Sequence, residues 1–506
     1  MPSLPVALLP AHELARRLRR GELSSLELLD HYLARIDRLN PALNAVVVLD
    51  AERARARARE ADAARARGES WGPLHGLPMT VKESFNVSGL PTTYGYQAFA
   101  ERRVPDDAVT VRRLKAAGAV IFGKTNVPVS LADWQSFNPV YGTTNNPWDL
   151  ARTPGGSSGG SAAALAAGLT GLELGSDIGA SIRNPAHYCG VWGLKPTWGV
   201  VPQAGHELEP GNVADNVDIG AVGPMARSAF DLTLAMEVLN QPLTMYTPLG
   251  RVPLQWATRG TPPRRCRVAI VADDGQARVD APLRAALARL ADFLRREGCV
   301  VDETARPFES AEAHAVYLHL LRAATGARFA DADYAAAQAR APRYAAGDQS
   351  YPARMDRGTA TSHRDWVRFD QRRDRLRAQW AAFFERFDLL ICPTATTPAF
   401  VQNQQGQRWE RLIPVRCADG SVQQQPTTEA LFWAGYPGGF GLPACSVPLE
   451  VCEEKAAHGH GGSGAAVRLP VGAQIIGPAF GDMDVLAFAQ FLEREYHAFE
   501  APAMAA

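Results

Sequence analysis

The residues of this chain that could do chemistry crowd into one stretch, TPGGSSGGSAAALAAGLTGLELGSDIGASIRNPAHYCGVWGLKPT at 153–197. Several generic patterns overlap it. A phosphate-binding loop needs G-x-x-x-x-G-K-[ST] after a strand, with the lysine reaching the phosphates. Residues 155–161 have the glycines but no lysine, and the preceding Asn145-Asn146-Pro147-Trp148 is not strand-like. A nucleophile elbow needs G-x-S-x-G between a strand and a helix. That pattern matches twice, around Ser157 and around Ser158, and the upstream strand is again missing. A Ser-His-Asp hydrolase stays open, but no histidine argues for it by position. A Gly/Ser linker should separate domains, whereas this run leads straight into Ala-rich helical sequence from Ser161.

A different arrangement remains. The Gly-rich loop presents two serines, an Ala-rich helix and a short strand at 172–174 follow, and the turn Ile178-Gly179-Ala180 delivers Ser181 to a helix start. Small residues there let consecutive backbone N–H groups point one way, which suits an oxyanion. A serine at that point is a candidate nucleophile and needs a base. Met79-Thr80-Val81-Lys82 reads as a buried strand ending in a lysine. Desolvation would lower that ammonium towards neutrality. Each residue also has a plain reading, Ser181 as a helix cap and Lys82 as a solvated charge at a strand end.

The elements that must position these groups follow from local signals. One helix is expected over 11–20, stopped by Gly21, and a second from the capping box Ser24–Glu27 to Asn40-Pro41. The Ala/Arg run 51–67 reads as a solvated helix, since Glu52, Glu60 and Asp62 interrupt its arginines. A βαβ pattern is expected from the strand 268–271, the helical stripe Leu283, Ala286, Leu287, Leu290 and Leu294, Gly298, and Val300-Val301. Further strands are expected at 387–391 and 470–476, with a closing helix carrying Val485, Phe488, Ala489 and Leu492 on one face. Residues 305–430 read as mostly helical insertion and loop. His458 and His460, beside the glycines 459–464, have no third ligand in their segment and do not make a metal site.

Composition limits the partners. The chain has 506 residues, 53 Lys plus Arg against 53 Asp plus Glu, and 46% hydrophobic residues. A neutral balance argues against a large basic face for nucleic acid or anionic lipid. Only five of the basic residues are lysines, and four of these (Lys82, Lys115, Lys124, Lys195) fall between 82 and 195. Lysine can lose its proton when buried and arginine cannot. Seven cysteines without a C-x-x-C pair read as reduced thiols. Met1 to Pro10 lacks the features of a signal peptide, and no apolar run is long enough for a membrane span. The expectation is a soluble cytoplasmic protein, one α/β domain over 1–506 with a large mixed, twisted β-sheet covered by helices on both faces.

The sequence resembles the amidase signature family over nearly its whole length, from Leu14 to Leu492. The resemblance rests on GPLHGLPMTVKESF (72–85), GKTNVP (123–128), TPGGSSGGSAAALAAG (153–168), GSDIGASIRNPAHYCGVWGLKPT (175–197), DLLICPTATTP (388–398), GLPACSVP (441–448) and LPVGAQIIG (469–477). It implies a Ser-cisSer-Lys triad of Lys82, Ser157 and the nucleophile Ser181. It further implies an oxyanion hole from the N–H groups of Ile178, Gly179, Ala180 and Ser181, with Ser158, Asp177 and Arg183 as supporting residues. No cofactor or metal is implied. Leu131 aligns with a pocket-lining position, and nearby Trp134 and Phe137 suit an apolar pocket for aryl or alkyl amides or carbamates. Two departures stand out: Ala180 where the family commonly has Gly, and Glu83 where Asp is usual. Specificity is expected from 200–215 and 305–435, the latter as a variable helical and loop insertion over the active site. The implied activity is hydrolysis of a carbon–nitrogen bond in a small molecule by a monomer or homodimer. The alternative is the glutaminase component of a tRNA-dependent amidotransferase, its A subunit, releasing ammonia from glutamine with protein partners and tRNA.

Overall fold

The computed structural model describes residues 5–207, 217–240, 259–455 and 466–505. His458, His460 and part of 200–215 lie outside the described residues. The fold is α/β, built on a large mixed sheet with helices on both faces. Eight strands pair in the order Val300–Asp302, Arg267–Ile270, Leu389–Pro393, Ala466–Ile476, Ala444–Lys455, Trp192–Lys195, Ala221–Ala226, Glu173–Asp177. The first three run parallel, the helix Ala281–Arg296 joining Arg267–Ile270 to Val300–Asp302, and the remaining pairings are antiparallel. A second sheet sets Val120–Thr125 between Val46–Leu49 and Pro78–Lys82. Its strand Pro78–Lys82 faces Glu173–Asp177, and side-chain bonds from Thr80 to Glu173 and from Lys82 to Ser176 cross between them. The site forms at this junction.

Two helices beside the junction explain its small residues. Gly159–Ala166 is buried at all eight positions, and apart from Leu165 its side chains are short. It starts two residues before the expected Ser161. Arg183–Cys189 is likewise wholly buried. Ser181 therefore lies in the turn before that helix, with Ile182 at the capping position, rather than at its first residue.

Several boundaries move for identifiable reasons. The expected strand 172–174 is Glu173–Asp177, extending through Gly175, Ser176 and Asp177 because each pairs with Ala221–Ala226. The second helix runs through Pro41 to Leu43 and ends at Asn44 in the left-handed region. A proline in the last turn removes one backbone donor and leaves the turn otherwise intact. Within 305–435 the structure has the helices Ser310–Gly326, Asp331–Arg340, Tyr351–Thr359, His363–Arg386 and Leu431–Gly438. It also has a hairpin, Leu412–Arg416 with Val422–Pro426, which weak periodicity concealed.

Candidate active site

The strand Pro78–Lys82 is buried throughout and ends on Lys82, which is 0% exposed. Lys82 Nζ lies 2.7 Å from Ser157 Oγ and 2.9 Å from Ser176 Oγ. Burial pushes the ammonium down to about 7, against the attraction of Asp177 and Glu173. Neither acid is a free carboxylate that could pair with the ammonium. Burial keeps the Glu173 carboxyl protonated to about 8, while Thr80 donates to one of its oxygens. Burial also works to raise Asp177, but Arg183 overcomes it and holds this carboxyl below its usual value. Arg183 Nε and Nη2 reach the two Asp177 oxygens at 2.9 and 2.8 Å. The lysine thus gives up its proton near neutral pH, while the nearest carboxylate is already engaged by Arg183.

The loop bearing Ser157 is shaped by contacts no side chain would permit. Gly155 has φ +87°, and a Cβ there would stand 2.6 Å from Asn184 Oδ1. The Gly156–Ser157 peptide bond is cis, as the resemblance implies. Ser158 holds the neighbouring turn: its N–H donates to the Ser181 carbonyl at 3.1 Å. Ser181 is 5% exposed, and its Oγ makes no hydrogen bond among the described residues, yet is not sealed from solvent. The structure therefore joins Lys82 to Ser157 directly and places Ser181 alongside through the backbone. Bonds between catalytic groups commonly tighten only in the substrate complex.

The turn 178–181 is oriented from outside. Tyr317 Oη donates to the Ile178 carbonyl at 3.1 Å, and Trp134 Nε1 donates to the Gly179 carbonyl at 2.8 Å. In a planar trans peptide the C=O and the following N–H point opposite ways. The Tyr317 bond thus turns the Gly179 N–H away from the helix Ser310–Gly326. The Trp134 bond sends the Ala180 N–H to Asp177 Oδ1, 2.9 Å away. Ala180 consequently drops out of the expected oxyanion hole, because its donor is already taken. The N–H groups of Ile178, Gly179 and Ser181 have no partner among the described residues. Ala180 adopts φ +68° and is fully buried, so the methyl sits in a backbone region that favours glycine.

The other expected residues divide. Trp134 is half-buried and braces the turn through its indole nitrogen. Leu131, half-buried with φ +57° in the single turn Val129–Leu131, is bonded to none of Lys82, Ser157 and Ser181. Two residues of the site are not among those expected, Ser176 and Tyr317. Ser176 lies inside the quoted motif 175–197 and Tyr317 in weakly patterned sequence. A serine–histidine pair does exist, Ser84 Oγ with His206 Nε2 at 2.9 Å, but Ser84 is 0% exposed and cannot meet a substrate.

A family model described as Amidase matches residues 27–486. The chain belongs to the amidase family, the amidase signature enzymes. Its relatives include the A subunit of glutamyl-tRNA(Gln) amidotransferase from Moorella thermoacetica, 32% identical over 509 residues and 97% of each chain. Indoleacetamide hydrolase of Bradyrhizobium diazoefficiens is 30% identical over 468 residues, 90% of this chain and 83% of its own. A solved amidase crystal structure matches with a TM-score of 0.72 at 29% identity, covering 96% of this chain and 100% of its own. This amidase signature protein is accordingly a hydrolase of carbon–nitrogen bonds. Among the described residues no helix is long and apolar enough to cross a membrane, and no group of three metal-ligating side chains converges.

Proposed function

We propose that the chain is an amidase that cleaves a small-molecule amide, aryl amide or carbamate through an acyl-enzyme on Ser181. The observation that carries this reading is Lys82, desolvated to about 7 and 2.7 Å from Ser157 Oγ. Neutral Lys82 takes a proton from Ser157, which takes one from Ser181 as its oxygen attacks the carbonyl carbon. The oxyanion is met by the N–H groups of Ile178, Gly179 and Ser181. The relay then reverses, the leaving nitrogen receives the proton and departs, and water hydrolyses the ester on Ser181. Asp177 and Arg183 fix the turn, and Ser158 ties it to the loop of Ser157. Leu131 and Trp134 border the acyl site in this reading. The whole chain acts as one catalytic domain, alone or as a homodimer. All seven cysteines are free, five of them buried, which supports a reducing cytoplasmic setting.

The test is a panel of anilides, primary amides and carbamates with wild type and Ser181→Ala, together with a serine-directed phosphonate. Turnover lost in the variant and label on Ser181 are expected. Full activity in Ser181→Ala, or label on another serine, overturns the mechanism. The likeness to the amidotransferase relative favours a second reading, ammonia release from glutamine in a complex. Glutaminase activity that emerges only with partner proteins would select it.

A further inference from the structure

The strand Pro78–Lys82 sets two side chains against Glu173–Asp177. Residues of a strand alternate between its faces, so Thr80 and Lys82 share one, about 7 Å apart. Lys82 reaches Ser176 Oγ, and Thr80 donates to Glu173 Oε1. The Glu173 carboxyl therefore stands one pleat behind the base. It is 1% exposed, and no lysine or arginine among the described residues lies within ion-pair distance of it. Its Oε2 is sealed from solvent. The hydroxyls of Thr125 and Ser161 stand beside the carboxyl and bond to each other at 2.8 Å.

A buried carboxylate ordinarily takes a cation or several amide donors. Asp177 has Arg183, and Glu83 has the N–H groups of Thr93 and Tyr94. Glu173 has hydroxyls and the single N–H of Leu174. An un-ionised acid suits them: Oε1 accepts from Thr80, and a proton on Oε2 can be donated towards the Thr125–Ser161 pair. The other titratable groups facing Lys82 hold one charge through neutrality. Asp177 is kept a carboxylate by Arg183, and His206, bonded to Ser84 Oγ, is kept neutral by burial. Lys195 acts on Arg183 and Asp177 rather than on Lys82.

We propose that Glu173 is a positioning residue that sets the pH range of the base. As an un-ionised acid it leaves Lys82 free to be neutral; once ionised, it draws a proton back onto the amine. The proposal rests on the relay proposed above and deepens it.

The test follows the rate of Ser181 labelling by a serine-directed phosphonate, and kcat/KM on a cleaved amide, against pH in wild type and Glu173→Gln. The glutamine amide reproduces the hydrogen bonds of the acid and cannot ionise. Its midpoint should lie about one pH unit below that of wild type, the scale of a charge interaction across this distance. One unit below the wild-type midpoint, the variant should keep about half of its plateau, against about a tenth for wild type. A residue that only supported the fold would cost rate or stability at a fixed midpoint. An unchanged or higher midpoint therefore overturns the proposal. Should Glu173→Gln not fold, Thr80→Val carries the test. It removes a donor that stabilises the carboxylate, so the acid ionises at higher pH and the midpoint should again fall; no fall overturns the proposal. Failure of the relay looks different. Wild type that neither cleaves an amide nor labels at Ser181 refutes the relay and this proposal with it, whereas labelling with one shared midpoint refutes this proposal alone.

Discussion

Lys82 and Lys195 flank the same ion pair and have been made alike in one respect only. Both are 0% exposed, and burial pushes both ammonium groups down to about 7. Lys82 Nζ faces the hydroxyls of Ser157 and Ser176. Lys195 Nζ donates to the Pro196 carbonyl at 2.8 Å and meets no side-chain hydroxyl among the described residues. Lys124 is a third case, lowered to about 8 and bound to the Pro91 carbonyl and Thr92 Oγ1 beside Glu83. A lowered pKa is therefore the common property of buried lysines here. Chemistry requires in addition an acidic proton to take and a place for the charge that results.

That contrast can be broken most directly at the base itself. Lys82→Arg retains the charge and removes the proton acceptor, so kcat should fall about 10⁴-fold or to background, as it should in Ser181→Ala. Next comes the pH profile. The working base is the neutral amine, and its pKa is lowered, so kcat/KM should rise with pH through about 7 and decline below it. Lys195→Met should keep that midpoint; a midpoint that moves with Lys195 would assign the base to the wrong lysine. Tyr317→Phe removes the bond that aims the Gly179 N–H, and kcat should drop about 10-fold with KM little changed. Folding measured by near-ultraviolet circular dichroism should be retained. The smallest effect is expected of Ala180→Gly, which relieves a left-handed alanine and should stabilise the fold against denaturant by about 1 kcal/mol.

What could be read in the sequence depended on how local its cause was. The capping box at Ser24 forms as its spacing requires, Ser24 Oγ accepting from the Glu27 N–H and Glu27 reaching back to the Ser24 N–H. The strand ending at Lys82 and the helical stripe from Leu283 to Leu294 are also where period and burial put them. Resemblance marked Ser157 and Ser181; spacing alone did not distinguish Ser157 from Ser158. Long-range causes were not legible. The diversion of the Ala180 N–H depends on Asp177 and on Trp134, 46 positions earlier in the chain than Ala180 itself. Glu83, a departure without explanation in the sequence, accepts from the Thr93 and Tyr94 N–H groups at 2.6 and 3.1 Å and so fixes a distant turn. Tyr317 is seated against Gly435, where a Cβ would stand 2.1 Å from its ring. No pattern in 305–435 announces that fit.

The Tyr317–Ile178 bond joins residues 139 positions apart, and the glycine that seats Tyr317 lies a further 118 positions on. A chain emerging from the ribosome will have made Lys82, Ser157 and Ser181 long before it can aim the turn that serves them. Competence therefore arrives late in synthesis, once the helix Leu431–Gly438 has docked. A partial chain carrying Lys82, Ser157 and Ser181 would still lack that aim, so labelling of Ser181 by a serine-directed probe should appear only when folding is finished.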